Sequence, residues 1–317
     1  MVSELISGRP FATEAGTARF VQRHDHGKSV DAYNNVGQLH ISSLGIGTYL
    51  GAADDATDLR YTESIIEAVR QGINVIDTAS NYRCQRSERV VGDALRTLIE
   101  MGEVYRSEVL VASKAGFVAF DGTVPGDRDR FIEAATVGAG LCAPDELVAG
   151  CHCIAPDYLQ STLDRSLANL GLEVIDVYFV HNPETQCGRF DQAIVLERIR
   201  RAFAALEQAA DAGKIRVYGV ATWSGLRVSG DDSGHLSLQA LVRCAEEVAG
   251  TRHRFKAIQL PCNRAMAEAW QVPNQSVSGR LKTVLQAAQE LGFVTFGSGS
   301  LLQGQLLEGS TSGAIDA

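Results

Sequence analysis

The sequence predicts an α/β fold, a (β/α)8 barrel of the TIM type, on three observations. Short apolar runs alternate with amphipathic segments from residue 42 onward. Each run is apolar along nearly its whole length, as strands are when helices cover both faces of a parallel sheet. Several runs also close on residues that carry chemistry, namely Lys114, His181, Thr222 and Gln259. In a barrel such strand ends converge on one face, where active sites sit. A doubly wound sheet would want a glycine-rich phosphate turn after the first strand, and GIGTYLG (45–51) does not fit that fingerprint.

Taken in order, residues 1–41 form an N-terminal extension, in which ARFVQR and VGQLHIS are expected to make a hairpin capping the barrel bottom. Strands are expected over 42–49, 73–78, 108–114, 174–181, 215–222, 255–261 and 293–298. Helices are expected over 60–71, 86–101, 157–170, 193–213, 234–250 and 277–291. Leu159, Leu163, Leu167 and Leu170 follow the spacing of one helix face, and Gly171 stands where a helix C-cap glycine belongs. The barrel domain spans 42–317, with an insertion at 117–156 after the third strand that should overhang the active-site face. The pattern supplies seven strands but neither an eighth strand nor the final helices, so the expectation is a C-terminally shortened barrel.

Composition narrows the function classes. The net charge of −9 and the lack of a Lys/Arg block argue against a nucleic-acid partner. No apolar run reaches membrane-spanning length, and MVSELISGRPF lacks the apolar core of a secretory signal. A cytoplasmic protein is expected, with its seven cysteines reduced. The cluster Cys142, Cys151, His152 and Cys153 has no C-x2-C pair, and it reads as an ordinary loop rather than a metal site.

The chemistry starts from NVIDTASNY (74–82), in which an apolar strand ends at Asp77 and Tyr82 follows five residues later. A free tyrosine ionises near pH 10, too high for easy proton shuttling near neutrality. A lysine beside it would stabilise the phenolate, a carboxylate would hold the lysine charged, and a histidine opposite could bind a substrate carbonyl. Lys114 and His181 close the third and fourth strands and complete such a set. A proton relay of this kind reduces C=O or oxidises CH–OH only with a hydride from a cofactor, because no side chain supplies one. Two other uses are open: Lys114 as a Schiff-base nucleophile of an aldolase, or a shortened barrel that binds without catalysing.

Several segments together resemble the aldo-keto reductase superfamily. LGIGTYLG resembles its first strand, NVIDTASNYRCQRSERVVGDAL its aspartate–tyrosine segment with Glu88 and Gly92, and LVASKAG its lysine strand. LDRSLANLGLEVIDVYFVHNPE resembles the helix and strand leading to its histidine, and GKIRVYGVATW, AIQLPCN and VTFGSGSLLQGQL resemble strands five to seven. The resemblance implies a catalytic tetrad of Asp77, Tyr82, Lys114 and His181, with Tyr82 as proton donor. It also implies a nicotinamide cofactor, NADP(H) ahead of NAD(H), contacted by Gly47, Thr48, Asn182, Thr222, Gln259 and Ser298. Tyr49 and Trp223 are expected to wall the pocket of a small carbonyl or alcohol substrate. Ser298 replaces the aromatic that the family often stacks on the nicotinamide.

Overall fold

The structure, a computed structural model, describes residues 10–24 and 32–305. Its centre is a seven-stranded parallel sheet built from β3 (Ile46–Gly47), β4 (Val75–Asp77), β5 (Leu110–Ala115), β6 (Ile175–His181), β7 (Ile215–Ala221), β8 (Phe255–Pro261) and β11 (Val294–Ser298), hydrogen-bonded in that order. Helices α2 (Asp55–Arg70), α3 (Arg86–Glu100), α5 (Pro156–Leu170), α6 (Gln192–Asp211), α7 (Leu238–Ala249) and α8 (Val284–Glu290) follow successive strands. This is an open half-barrel of the predicted (β/α)8 type, and no eighth parallel strand occurs among the described residues. None of the described helices is long and apolar enough to cross a membrane.

Side-chain alternation along each strand sorts residues between two layers. Val75, Leu110, Ala112, Val177, Phe179, Ala221 and Ala257 face the sheet's concave side and pack together. Ile76, Val111, Tyr178, Val180, Val220 and Ile258 face the helices. The helices are held there by stripes such as Leu159, Leu163 and Leu170, all fully buried on α5. Gly171 closes α5 in the left-handed region at φ 62°.

Gly92 on α3 sits against the end of α5. A Cβ at residue 92 would lie 2.6 Å from the Leu170 carbonyl oxygen, inside any tolerable contact. In a free helix alanine beats glycine by about 1 kcal/mol. Gly92→Ala is nonetheless expected to destabilise the fold by about 1–3 kcal/mol, because two helix backbones must separate. Urea unfolding checks the sign, and a variant at least as stable as wild type would refute the close contact.

Three segments differ from the sequence expectation. ARFVQR is not a strand but part of helix α1 (Glu14–His24). The Thr13 hydroxyl caps its first turn at Gly16 N (3.0 Å), and Arg23 and His24 lie in its last turn, where the helix dipole favours cations. The hairpin is instead β1 (Tyr33–Val36) with β2 (Leu39–Ser42). Its Val36, Leu39 and Ile41 pack on Val75, Leu110 and Val177 in the concave layer. Finally, the expected helix 277–291 begins only at Val284. Residues before it form a second hairpin, β9 (Gln275–Val277) with β10 (Arg280–Lys282). Its turn is Ser278–Gly279, both at positive φ (52° and 72°), the geometry of the tight turn that suits hairpin twist.

The insertion after β5 carries helix α4 (Arg128–Ala135) and a small apolar cluster of its own around Val118, Ile132, Cys153 and Tyr158. It returns to the sheet through His152, which bridges Phe117 just beyond the end of β5.

Candidate active site

The alternation that fills the concave layer also places the polar residues. Asp77 stands two residues after Val75, Lys114 two after Ala112, His181 two after Phe179, and Gln259 two after Ala257. Each therefore points to the concave side, at the C-terminal end of its strand. The register puts Asp77 beside Ala112, one layer below Lys114, so the lysine amine reaches back to the carboxylate.

Lys114 is fully buried. Its Nζ donates to both Asp77 carboxylate oxygens and to the Thr78 carbonyl, each at 2.8 Å. All three ammonium protons thus have acceptors. Burial alone would lower the lysine pKa, but Asp77 and Tyr82 outweigh it and the net direction is upward. The same Nζ lies 4.9 Å from the centre of the Tyr82 ring. On the other side, the Tyr82 ring meets His181 edge-on at 5.9 Å and Tyr49 at 5.0 Å.

For Tyr82 the electrostatics reverse the sequence expectation. Burial pushes its pKa above the ordinary tyrosine value, and Asp77 adds to the rise. The charge of Lys114 pulls it down without overcoming the desolvation. The resting group is therefore a neutral phenol with its proton in place. His181 is held well below the usual histidine range by burial and by Lys114, so it is a neutral imidazole. Its Nδ1 is buried and finds no partner among the described residues.

The remaining predicted residues divide. Gln259 donates to Asp77 Oδ1 at 3.0 Å from across the sheet, so it joins the charged group directly. Thr222 is buried at the end of β7 with its Oγ1 unpartnered among the described residues. Asn182 follows His181 in the left-handed region (φ 46°) and is half-buried. Gly47 is exposed, and a Cβ there would meet nothing within 4 Å. Ser298 ends β11, and its carbonyl accepts from Cys262 N at 3.0 Å. Thr48 is the exception: it is fully buried, and its hydroxyl donates to Thr78 Oγ1 at 2.8 Å, which turns it into the scaffold. Tyr49 and Trp223 are exposed (55% and 44%), as walls of an open pocket would be.

Two residues of this neighbourhood have no role in the sequence analysis above. The Thr78 carbonyl is the third acceptor for Lys114, which only the fold could reveal. Glu184, three residues after His181, gathers the backbone N–H groups of Trp223, Ser224 and Gly225 at Oε1 (2.6, 3.0 and 3.4 Å). It ties the loop after β6 to the loop bearing Trp223, and its acidic spacing within HNPE was the one available hint.

An orphaned threonine hydroxyl, a strand-end glutamine amide and an open rim beside a buried ion pair fit the carboxamide end of a nicotinamide. Among known proteins, the Aldo/keto reductase family model matches residues 43–229, more than half of the chain. An NAD(P)H-dependent 6'-deoxychalcone synthase from Glycine max is 29% identical over 182 residues, covering 55% of this chain and 46% of that protein. An NADH-specific methylglyoxal reductase from Escherichia coli is 28% identical over 192 residues, covering 58% and 49%. The matched stretch thus spans under half the length of either relative. In fold, the chain is similar to a glycerol dehydrogenase from Gluconobacter oxydans, with a TM-score of 0.55 at 20% identity over 91% of this chain and 68% of that one. With the parallel strands, the strand-end ion pair and the family match all agreeing, this chain belongs to the aldo/keto reductase family.

Proposed function

We propose that the chain is an NAD(P)(H)-dependent oxidoreductase that interconverts a small-molecule carbonyl and an alcohol, with Tyr82 as the proton donor in reduction. One observation carries this reading: a charged, fully buried lysine lies between a carboxylate and a phenol, at the tips of parallel strands. When bound, a reduced nicotinamide supplies the hydride for the carbonyl carbon. The chain's own part is proton chemistry and positioning. His181, neutral, donates a hydrogen bond to the substrate carbonyl oxygen. Tyr82 gives its Oη proton to that oxygen as negative charge develops there. Lys114, still protonated, faces the phenolate that remains and stabilises it by charge, while Asp77 keeps the ammonium in place. Thr222, Gln259, Asn182, Gly47 and Ser298 would receive the nicotinamide, and Tyr49 and Trp223 the substrate's apolar flank.

The state of Lys114 counts against an aldolase. A Schiff base needs a free amine, and this amine is charged with three acceptors around it. Borohydride with a carbonyl substrate is expected to leave Lys114 unmodified, and a trapped adduct on that residue would overturn this.

We place NADP(H) ahead of NAD(H). An aldo/keto reductase from Klebsiella pneumoniae with a similar fold was solved with NADP, whereas the Escherichia coli relative is named NADH-specific. Titrating cofactor fluorescence with both dinucleotides, then following loss of reduced-nicotinamide absorbance over a panel of small aldehydes and ketones, tests the reading. Tighter NADPH binding with turnover of at least one carbonyl is expected. Binding of neither dinucleotide would favour a non-catalytic protein.

A further inference from the structure

The insertion after β5 sends one side chain into the core behind the site. His152 is fully buried, and both its ring nitrogens are engaged. Nε2 lies 2.8 Å from the backbone carbonyl oxygen of His181. Nδ1 lies 2.9 Å from Nε2 of Gln186. The Gln186 side chain is itself oriented, because its Oε1 accepts from Arg198 Nη1 at 3.1 Å. Arg198 is anchored in turn by Asp145, at 2.9 Å.

This chain of bonds fixes the histidine's proton from both ends. A carbonyl oxygen only accepts, so Nε2 must carry the hydrogen. A guanidinium only donates, so Gln186 presents Oε1 to Arg198 and its N–H to His152, which makes Nδ1 the acceptor. The two arguments are independent and give the same tautomer. Burial lowers the His152 pKa to about 4, so the ring stays neutral at working pH.

The surroundings are shaped to the same end. Gly116 lies where any side chain would collide with the His181 carbonyl. The Phe117 ring packs edge-on against both histidines, 4.9 Å from His152 and 5.2 Å from His181. Backbone bonds from Val118 N to Cys151 O (2.8 Å) and from Cys153 N to Gly116 O (2.7 Å) clamp the insertion's return to the end of β5. The strand that bears Lys114 and the strand that bears His181 are therefore pinned to each other through His152.

We infer that His152 is a positioning residue for the reaction: through the His181 backbone carbonyl it holds the His181 imidazole at the distance from Tyr82 and Lys114 that carbonyl binding requires. The insertion thereby supplies the brace that sets one member of the tetrad. The inference rests on the oxidoreductase reading for its kinetic consequence, but not for its structural one.

Two substitutions separate the bond that matters from mere loss of the ring. In His152→Gln the amide nitrogen reaches the place of Nε2 and keeps the donor to His181 O. In His152→Asn the shorter amide serves Gln186 and leaves the His181 carbonyl bare. Both are polar and smaller than histidine, and thermal melts confirm that each is folded. His152→Asn is expected to lower kcat on the order of 100-fold, the scale of a small misplacement of a reacting group, with cofactor affinity unchanged. His152→Gln restores most of that loss.

NMR of the ring nitrogens in isotope-labelled histidine gives a readout that needs no turnover. His152 should show the Nε2–H tautomer, and the His181 ring signals should move in the asparagine variant but not in the glutamine one. Equal effects of the two substitutions, or an Nδ1–H tautomer at His152, would overturn the brace. A wild-type protein with the expected ring signals but no turnover of any carbonyl would uphold the brace and remove the oxidoreductase reading instead.

Discussion

Tyr82→Phe is expected to reduce carbonyl turnover by about 100- to 10,000-fold, the usual contribution of a positioned general acid. Dinucleotide affinity should stay near the wild-type value. Only one oxygen is removed, and the ring remains to fill the space between Tyr49, His181 and Lys114. The pH profile gives a second test with a definite sign. Burial raises the Tyr82 pKa above the ordinary phenol value, so the donor form is fully present throughout the neutral range. Reduction by the wild type should therefore be flat there, and should fall only as pH climbs through that raised pKa. A decline in kcat beginning near neutrality would mean that Lys114 lowers the phenol's pKa more than desolvation raises it. Full activity in Tyr82→Phe would exclude this proton donor altogether.

Lys114→Met should abolish turnover and also weaken the fold. Removing one partner of a buried ion pair costs about 3–5 kcal/mol, because the other charge is left uncompensated. The Asp77 side chain is 21% exposed, so water can soften the penalty and the lower end of that range is expected. The double variant Asp77→Asn with Lys114→Met removes both charges and should recover much of the lost stability, since no unpaired ion remains. It should recover no activity, because the phenolate would still lack its cation. Urea unfolding of the two single variants and the double one, run beside a turnover assay, separates these outcomes. Stability and activity returning together in the double variant would show that Lys114 acts only as a structural ion.

The contrast between those two residues shows what a sequence can carry. The identities and strand-end positions of Asp77, Lys114, His181 and Gln259 were legible because alternation along a strand is a local rule, so the neighbours Val75, Ala112, Phe179 and Ala257 already say which way each side chain points. The same locality made the parallel strands and most helices readable, because an apolar run or a helix stripe lies within one short window. It misled at ARFVQR, where Phe20 is buried by a helix face rather than a strand. It missed the Ser278–Gly279 turn too, because an apparent helical stretch hid a hairpin.

Other features of the site depend on burial and on contacts between distant segments. A lysine next to a tyrosine predicts a lowered phenol pKa, yet the direction is set by how much water the fold removes, and here desolvation wins. Thr48 stood in the right motif, but its hydroxyl was taken by Thr78, thirty residues further on. His152 looked like part of a cysteine-rich loop; its partners, Gln186 and the His181 carbonyl, lie 34 and 29 residues away in the chain. Which residues stand at the strand tips follows from the local order of amino acids alone, because the backbone's period of two is fixed by covalent geometry. Their protonation states, and the groups that hold them in place, were decided by a solvent-excluded packing that no local stretch of chain encodes.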